Sequence, residues 1–99
     1  MSGYDQFMTE DARLTILKAL AGENDLRLNE RLIAATLDRF GHRRSREWLR
    51  TQLRKLEELG AAKITEAGTV MIAELTRAGL DHVERRAFLE GVERPSPEA

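Results

Sequence analysis

A chain of 99 residues, 41% hydrophobic and 33% charged, is long enough for one modest core and too short for two. The absence of cysteine excludes disulfides, thiolate metal ligands and cysteine nucleophiles, and a net charge of −1 excludes a general polyanion binder. No apolar stretch approaches the length of a membrane span, and the opening MSGYDQFMTED has neither the basic start nor the apolar run of a secretory leader. The expectation is a cytoplasmic protein with no membrane partner.

Residues 1–8 read as a flexible lead-in. Thr9 is suited to cap a first helix, with Glu10 and Asp11 in its opening turn and Leu14, Leu17, Leu20 and Ala21 on its buried face. Gly22 ends it, and Leu26-Arg27-Leu28 is a short edge strand. Asn29 caps a second helix, apolar at Leu32, Ile33, Thr36, Leu37 and Phe40, which Gly41 stops. After a turn of four residues, Ser45 caps the third helix, residues 45–59, and Gly60 ends it. Leu49, Leu53, Leu56 and Leu59 recur at steps of three and four and so share one face. β-branched and apolar residues over 62–65 and 69–75, around Glu66-Ala67-Gly68, give a hairpin. Thr76 caps a last helix, residues 77–89, with Leu80, Val83 and Ala87 on one side, and 91–99 reads as a flexible tail.

This order predicts an α+β, mostly helical fold. It is a winged helix-turn-helix domain over 9–90, with a three-helix core, a short strand, a hairpin wing and a C-terminal helix. The terminal helix has apolar surface to spare, so a homodimer through 77–89 is expected.

Function concentrates between Arg39 and Lys55, where seven basic residues face one acid, Glu47. That local charge of +6 leaves −7 for the rest of the chain. Arg46, Arg50 and Arg54 are four apart and form a stripe away from the leucines. Duplex DNA is the partner this implies, with Arg46, Arg50 and Thr51 reaching base edges. Arg43, Arg44, Arg54 and Lys55 would meet phosphates, beside the cap Ser45. The plainer alternative is a solvated helix face with internal pairs such as Arg54 with Glu57 or Glu58. Trp48 is read as a core-edge aromatic, and His42 as a cap or phosphate contact. The hairpin tip is acidic, so the wing is read as structural. His42 and His82 stand forty residues apart without cysteine company, so no metal site is expected. No nucleophile–base pair and no glycine-rich phosphate loop appears, so neither an enzyme nor a cofactor is expected.

The run from Ala12 to Ile64, with ARLTILKALA and LIAATLDRFGHRRSREWLRTQLRKLEELGAAKI, resembles the winged helix-turn-helix domains of ArsR- and MarR-type regulators. More narrowly, GHRRSREWLRTQLRKLEELG, ELTRAGLDHVERR with its Leu75-Thr76-x-x-Gly79 step, and GVERPSP look like small ArsR-like proteins of Mu-like phages and prophages. The resemblance implies the winged-helix fold, 45–59 as the DNA-facing element, and a phage or prophage transcription regulator binding DNA specifically or semi-specifically. It brings no ArsR metal site, because the cysteine-bearing segment of such sensors has no counterpart here. Two alternatives are a winged-helix protein-interaction module and an adaptor for phage DNA packaging or replication.

Overall fold

The structure, a computed structural model, describes residues 3–97. Seven elements follow one another: α1 (Gly3–Ala21), β1 (Arg27–Asn29), α2 (Glu30–Arg39), α3 (Arg46–Glu58), β2 (Ala62–Ala67), β3 (Val70–Leu75) and α4 (Arg77–Val83). This is the α+β winged helix-turn-helix arrangement. The strands form one antiparallel sheet in the order β1-β3-β2, with Leu28 and Ile64 both opposite Ala73.

The caps are local chemistry. Asn29 accepts the Leu32 N–H and Ser45 accepts the Trp48 N–H, each at 3.0 Å. Helices α2 and α3 end alike. Gly41 and Gly60 adopt positive φ (91° and 79°), and the next residue's N–H returns to a carbonyl five positions back, His42 to Leu37 and Ala61 to Leu56. Only glycine takes that left-handed position without a Cβ penalty. These two stops fix the length of the helix-turn-helix.

Ile16, Leu17 and Leu20 of α1, Ile33 of α2, and Leu53 and Leu56 of α3 are fully buried together and form the centre of the core. Trp48 is half-buried at its edge. Gly79 lets α4 lie against the turn after α3. A Cβ there would sit well inside contact distance of the Ala61 carbonyl oxygen and 2.6 Å from Leu75 Cδ1.

Three boundaries differ from expectation. The first helix starts at Gly3, not after Thr9, whose hydroxyl instead donates to the Asp5 carbonyl one turn earlier. Of the expected lead-in, residues 1–2 lie outside the described residues. The hairpin turn is Gly68-Thr69, because Glu66 and Ala67 pair with Met71 and Val70. The last helix ends at Val83 rather than continuing to 89. Arg85 takes a left-handed φ of 62°, and Arg86 N–H returns to Asp81 O.

The chain then folds back. The Leu89 N–H donates to His82 Nδ1 at 2.9 Å, while His82 Nε2 meets the Glu93 carbonyl at 2.8 Å. An imidazole that accepts at Nδ1 and donates at Nε2 is neutral, and this one is fully buried. Val92 is buried against the core and Glu93 N–H bonds Glu10 O, so the segment expected to be a flexible tail is a strap as far as Pro95. Residues 98–99 lie outside the described residues. Leu80 and Val83 pack on the core. The apolar stripe on which a dimer through 77–89 was expected is therefore largely used within the chain. No described helix is long and apolar enough to cross a membrane.

Candidate nucleic-acid interface

Each of the six cations expected to meet DNA has a defined setting, with an acid or an aromatic ring beside it. Arg43, in the turn, donates from Nε to Asp38 of α2 at 2.7 Å on the open surface. That pairing lowers the Asp38 pKa and raises that of Arg43, chiefly through the hydrogen bond and then the charge. The Arg44 guanidinium lies over the Trp48 ring, 4.3 Å from its centroid. Ser45 is engaged as the cap.

Arg46 and Arg50 form the structural centre of the region. Arg50 holds the Glu30 carboxylate as a fork, Nε to Oε2 at 2.8 Å and Nη2 to Oε1 at 2.6 Å, and Arg46 adds a third bond at 3.0 Å. Both guanidinium groups also donate to the Thr69 carbonyl at the hairpin turn. The Met71 N–H completes the set around Glu30, a side chain only 3% exposed at the first position of α2. The Arg50 hydrogen bond, more than the burial that opposes it, lowers the Glu30 pKa from the usual carboxylate range to about 2. One buried carboxylate thus ties together the start of α2, the first half of α3 and the tip of the wing.

Further along α3, Arg54 bridges Glu57 (3.0 Å) and Glu66 of β2 (2.8 Å), and Lys55 pairs with Glu58 at 3.3 Å. Thr51 is exposed, with its hydroxyl donating to the Glu47 carbonyl. The internal pairs considered at the C-terminal end of the helix are therefore present, and α2 supplies two more acids, Glu30 and Asp38, towards its N-terminal end. Helix period explains the rest. The buried residues Leu49, Gln52, Leu53 and Leu56 set the inward direction. At about 100° per residue the line opposite them runs through Glu47, Thr51, Arg54 and Glu58. Arg46 and Arg50 fall to the wing-side flank, so the expected arginine stripe is not the outermost line.

Sequence reasoning missed Glu30, whose position after the Asn29 cap marks only a helix start. It also missed Arg31, an exposed cation with no hydrogen bond or ion pair among the described residues. Arg31 lines a groove of about 400 Å³ between α2 and the start of α3, together with Arg43, Arg44 and Arg46. His42, expected as a cap or a phosphate contact, is buried instead, with Nε2 2.8 Å from Asp11 of α1. Arg13 was likewise not singled out. It donates to Gln52 of α3 and to the Gly91 carbonyl, and burial pulls its pKa down. Among the described residues no three His, Cys, Asp or Glu side chains group to hold a metal ion.

No family model matches the chain. The uncharacterized protein gp26 of Escherichia phage Mu is 36% identical over 95 residues, covering 96% of this chain and 98% of its own. An uncharacterized protein of Haemophilus influenzae is 33% identical over 96 residues, covering 96% and 93%. Among solved structures, the complex structure of hsRosR-S1 superposes with a TM-score of 0.63 at 18% identity, over 86% of this chain and 68% of that one. At that identity the likeness is one of fold.

Proposed function

The chain belongs to the family of the phage Mu protein gp26, and from that premise we propose that it is a double-stranded DNA-binding winged helix acting in the transcription of phage or prophage genes. The observation that carries this reading is the basic groove at the start of α3. Arg31, Arg43 and Arg44 converge there beside the exposed first turn of a helix whose other face is core. Such a groove sets cations beside the N-terminal end of a helix entering the major groove, where they would meet phosphates. The single winged helix is taken as the binding unit.

Arg43 and Arg44 act at the phosphate backbone in this reading, whereas Arg46 and Arg50 act within the protein. Fluorescence anisotropy with a labelled duplex at low salt separates the two roles. Arg43→Ala with Arg44→Ala should weaken binding by an order of magnitude or more, with the melting temperature nearly unchanged. Unchanged duplex affinity in that double variant would remove the reading.

The pairing of Arg43, Arg46, Arg50, Arg54 and Lys55 with acids of the same chain favours one rival, a protein-interaction module. Failure to bind any duplex at low salt would select it.

A further inference from the structure

We propose that Glu47 and Thr51 are the base-reading positions of α3, with the Glu47 carboxylate accepting a hydrogen bond from the exocyclic amino group of a cytosine in the major groove. The proposal rests on the duplex-binding reading above and assigns the specificity of that same face.

The geometry narrows the choice by elimination. In a helix-turn-helix the N-terminal half of the second helix meets the base edges. On the first two turns of α3, the positions opposite the buried residues Leu49, Gln52 and Leu53 are Glu47 and Thr51. The neighbouring arginines are engaged elsewhere, since Arg46 and Arg50 are bound to Glu30 and the Thr69 carbonyl. Reaching a base would require either of them to abandon a carboxylate that is almost fully buried. Glu47 is different. It is exposed, and among the described residues its carboxylate makes no hydrogen bond or close ion pair, although Arg50 lies near enough to feel its charge. Thr51 donates its hydroxyl proton to the Glu47 carbonyl, so what it offers outward is an acceptor lone pair and a methyl group.

A carboxylate on that line is repelled by phosphates and by every acceptor on the groove floor. Only amino groups reward it, and the major groove presents two. The adenine N6 amino lies between two acceptors, its own N7 and the thymine O4. The cytosine N4 amino has an acceptor on one side only and a carbon-bound hydrogen on the other, which makes cytosine the better partner for an anion. The Thr51 methyl one turn later suits a thymine methyl. Glu30 and Asp38 nearby are each held by an arginine, which leaves Glu47 as the acid of this region whose carboxylate is not hydrogen-bonded among the described residues.

The helix dipole alone also favours an acid in the first turn, and the test must separate that from base reading. Bound sequences are selected from a random duplex pool by the full chain, by Glu47→Ala and by Glu47→Gln, with each variant's melting temperature recorded. The parent should enrich cytosine at one position of its site. Glu47→Gln should move that preference towards adenine, the base an amide pairs best. Glu47→Ala should lose about tenfold on the selected duplex and gain affinity for random duplex, a reversal that a purely structural acid does not produce. Identical preferences in all three proteins overturn the assignment while leaving duplex binding intact. No duplex binding by the parent overturns both.

Discussion

Glu30 shows how much one residue can decide in a chain this short. Its carboxylate is nearly out of water, and the energy that keeps it charged there comes from the Arg50 fork, with Arg46 and the Met71 N–H. Removing one partner of such a group is costly because the others are left unsatisfied. Glu30→Ala should lower stability by roughly 2–4 kcal/mol in urea unfolding. The sign with pH follows from a pKa lowered to about 2 from 4.5. The unfolded chain takes up the proton first, so this contribution is complete above about pH 4.5 and drains away as pH falls towards 2. Acid titration of the melting temperature should show a drop in that window in the parent, and a much smaller one in Glu30→Gln. None of this was legible in the sequence. An acid after an Asn cap looks like ordinary helix-dipole chemistry, and its partners lie 16 to 41 residues away. Gly79 was legible in part, as a fixed spacing after Thr76, but its reason is the Ala61 backbone against it. Gly79→Ala should cost on the order of 1–3 kcal/mol by overpacking, seen as a fall of several degrees in melting temperature.

At the scale of elements, the sequence was readable wherever the signal is local. The caps Asn29, Ser45 and Thr76, both glycine stops and the two hairpin strands follow from residues within four positions of each end. The last helix was not readable, because Glu84 to Phe88 are all tolerable helix residues and propensity alone carries it on to 89. What ends it is tertiary. His82 accepts the Leu89 N–H and Phe88 packs edge-on against the imidazole, 5.8 Å between centroids. The strap beyond adds Val92 and the Arg13–Gly91 bond. These contacts outweigh a left-handed Arg85, a conformation that costs an L-residue roughly 1–2 kcal/mol. Arg85→Gly should therefore stabilise the fold by about 0.5–1 kcal/mol, the gain reduced by the greater freedom glycine has when unfolded. Urea unfolding measures it, and a loss of stability would mean that the Arg85 side chain matters more than its backbone. Val92→Ala tests the strap from the other side. It should cost about 1–2 kcal/mol if the segment is part of the core, and almost nothing if it only rests on the surface.

For the molecule as a whole, the difference between sequence and structure is one of charge placement. Read along the chain, residues 39–55 carry +6. Folded, Asp38 and Glu30 from α2, Glu57 and Glu58 from the end of α3, and Glu66 from the wing come to stand among those cations. Acids outside the segment are how a basic helix and a −1 chain coexist, and no count along the sequence reveals which cations they reach. The consequence is measurable through salt. Seven free cations on phosphates would release enough counterions for a slope of about −6 in log affinity against log salt. With Arg46 and Arg50 held by Glu30, Arg54 held between two acids and Lys55 paired with Glu58, the cations left for phosphates are Arg31, Arg39 and Arg44, together with Arg43 to the extent that its exposed pair with Asp38 opens. The slope should then be about −3 to −4. Asp38→Asn sharpens the point, since it frees Arg43 and removes a charge that phosphates would repel. It should raise duplex affinity several-fold at low salt without moving the melting temperature much, because an exposed pair stabilises the fold little. A slope near −6, or no gain from Asp38→Asn, would mean that the internal pairs give way when DNA arrives and that all seven cations bind it.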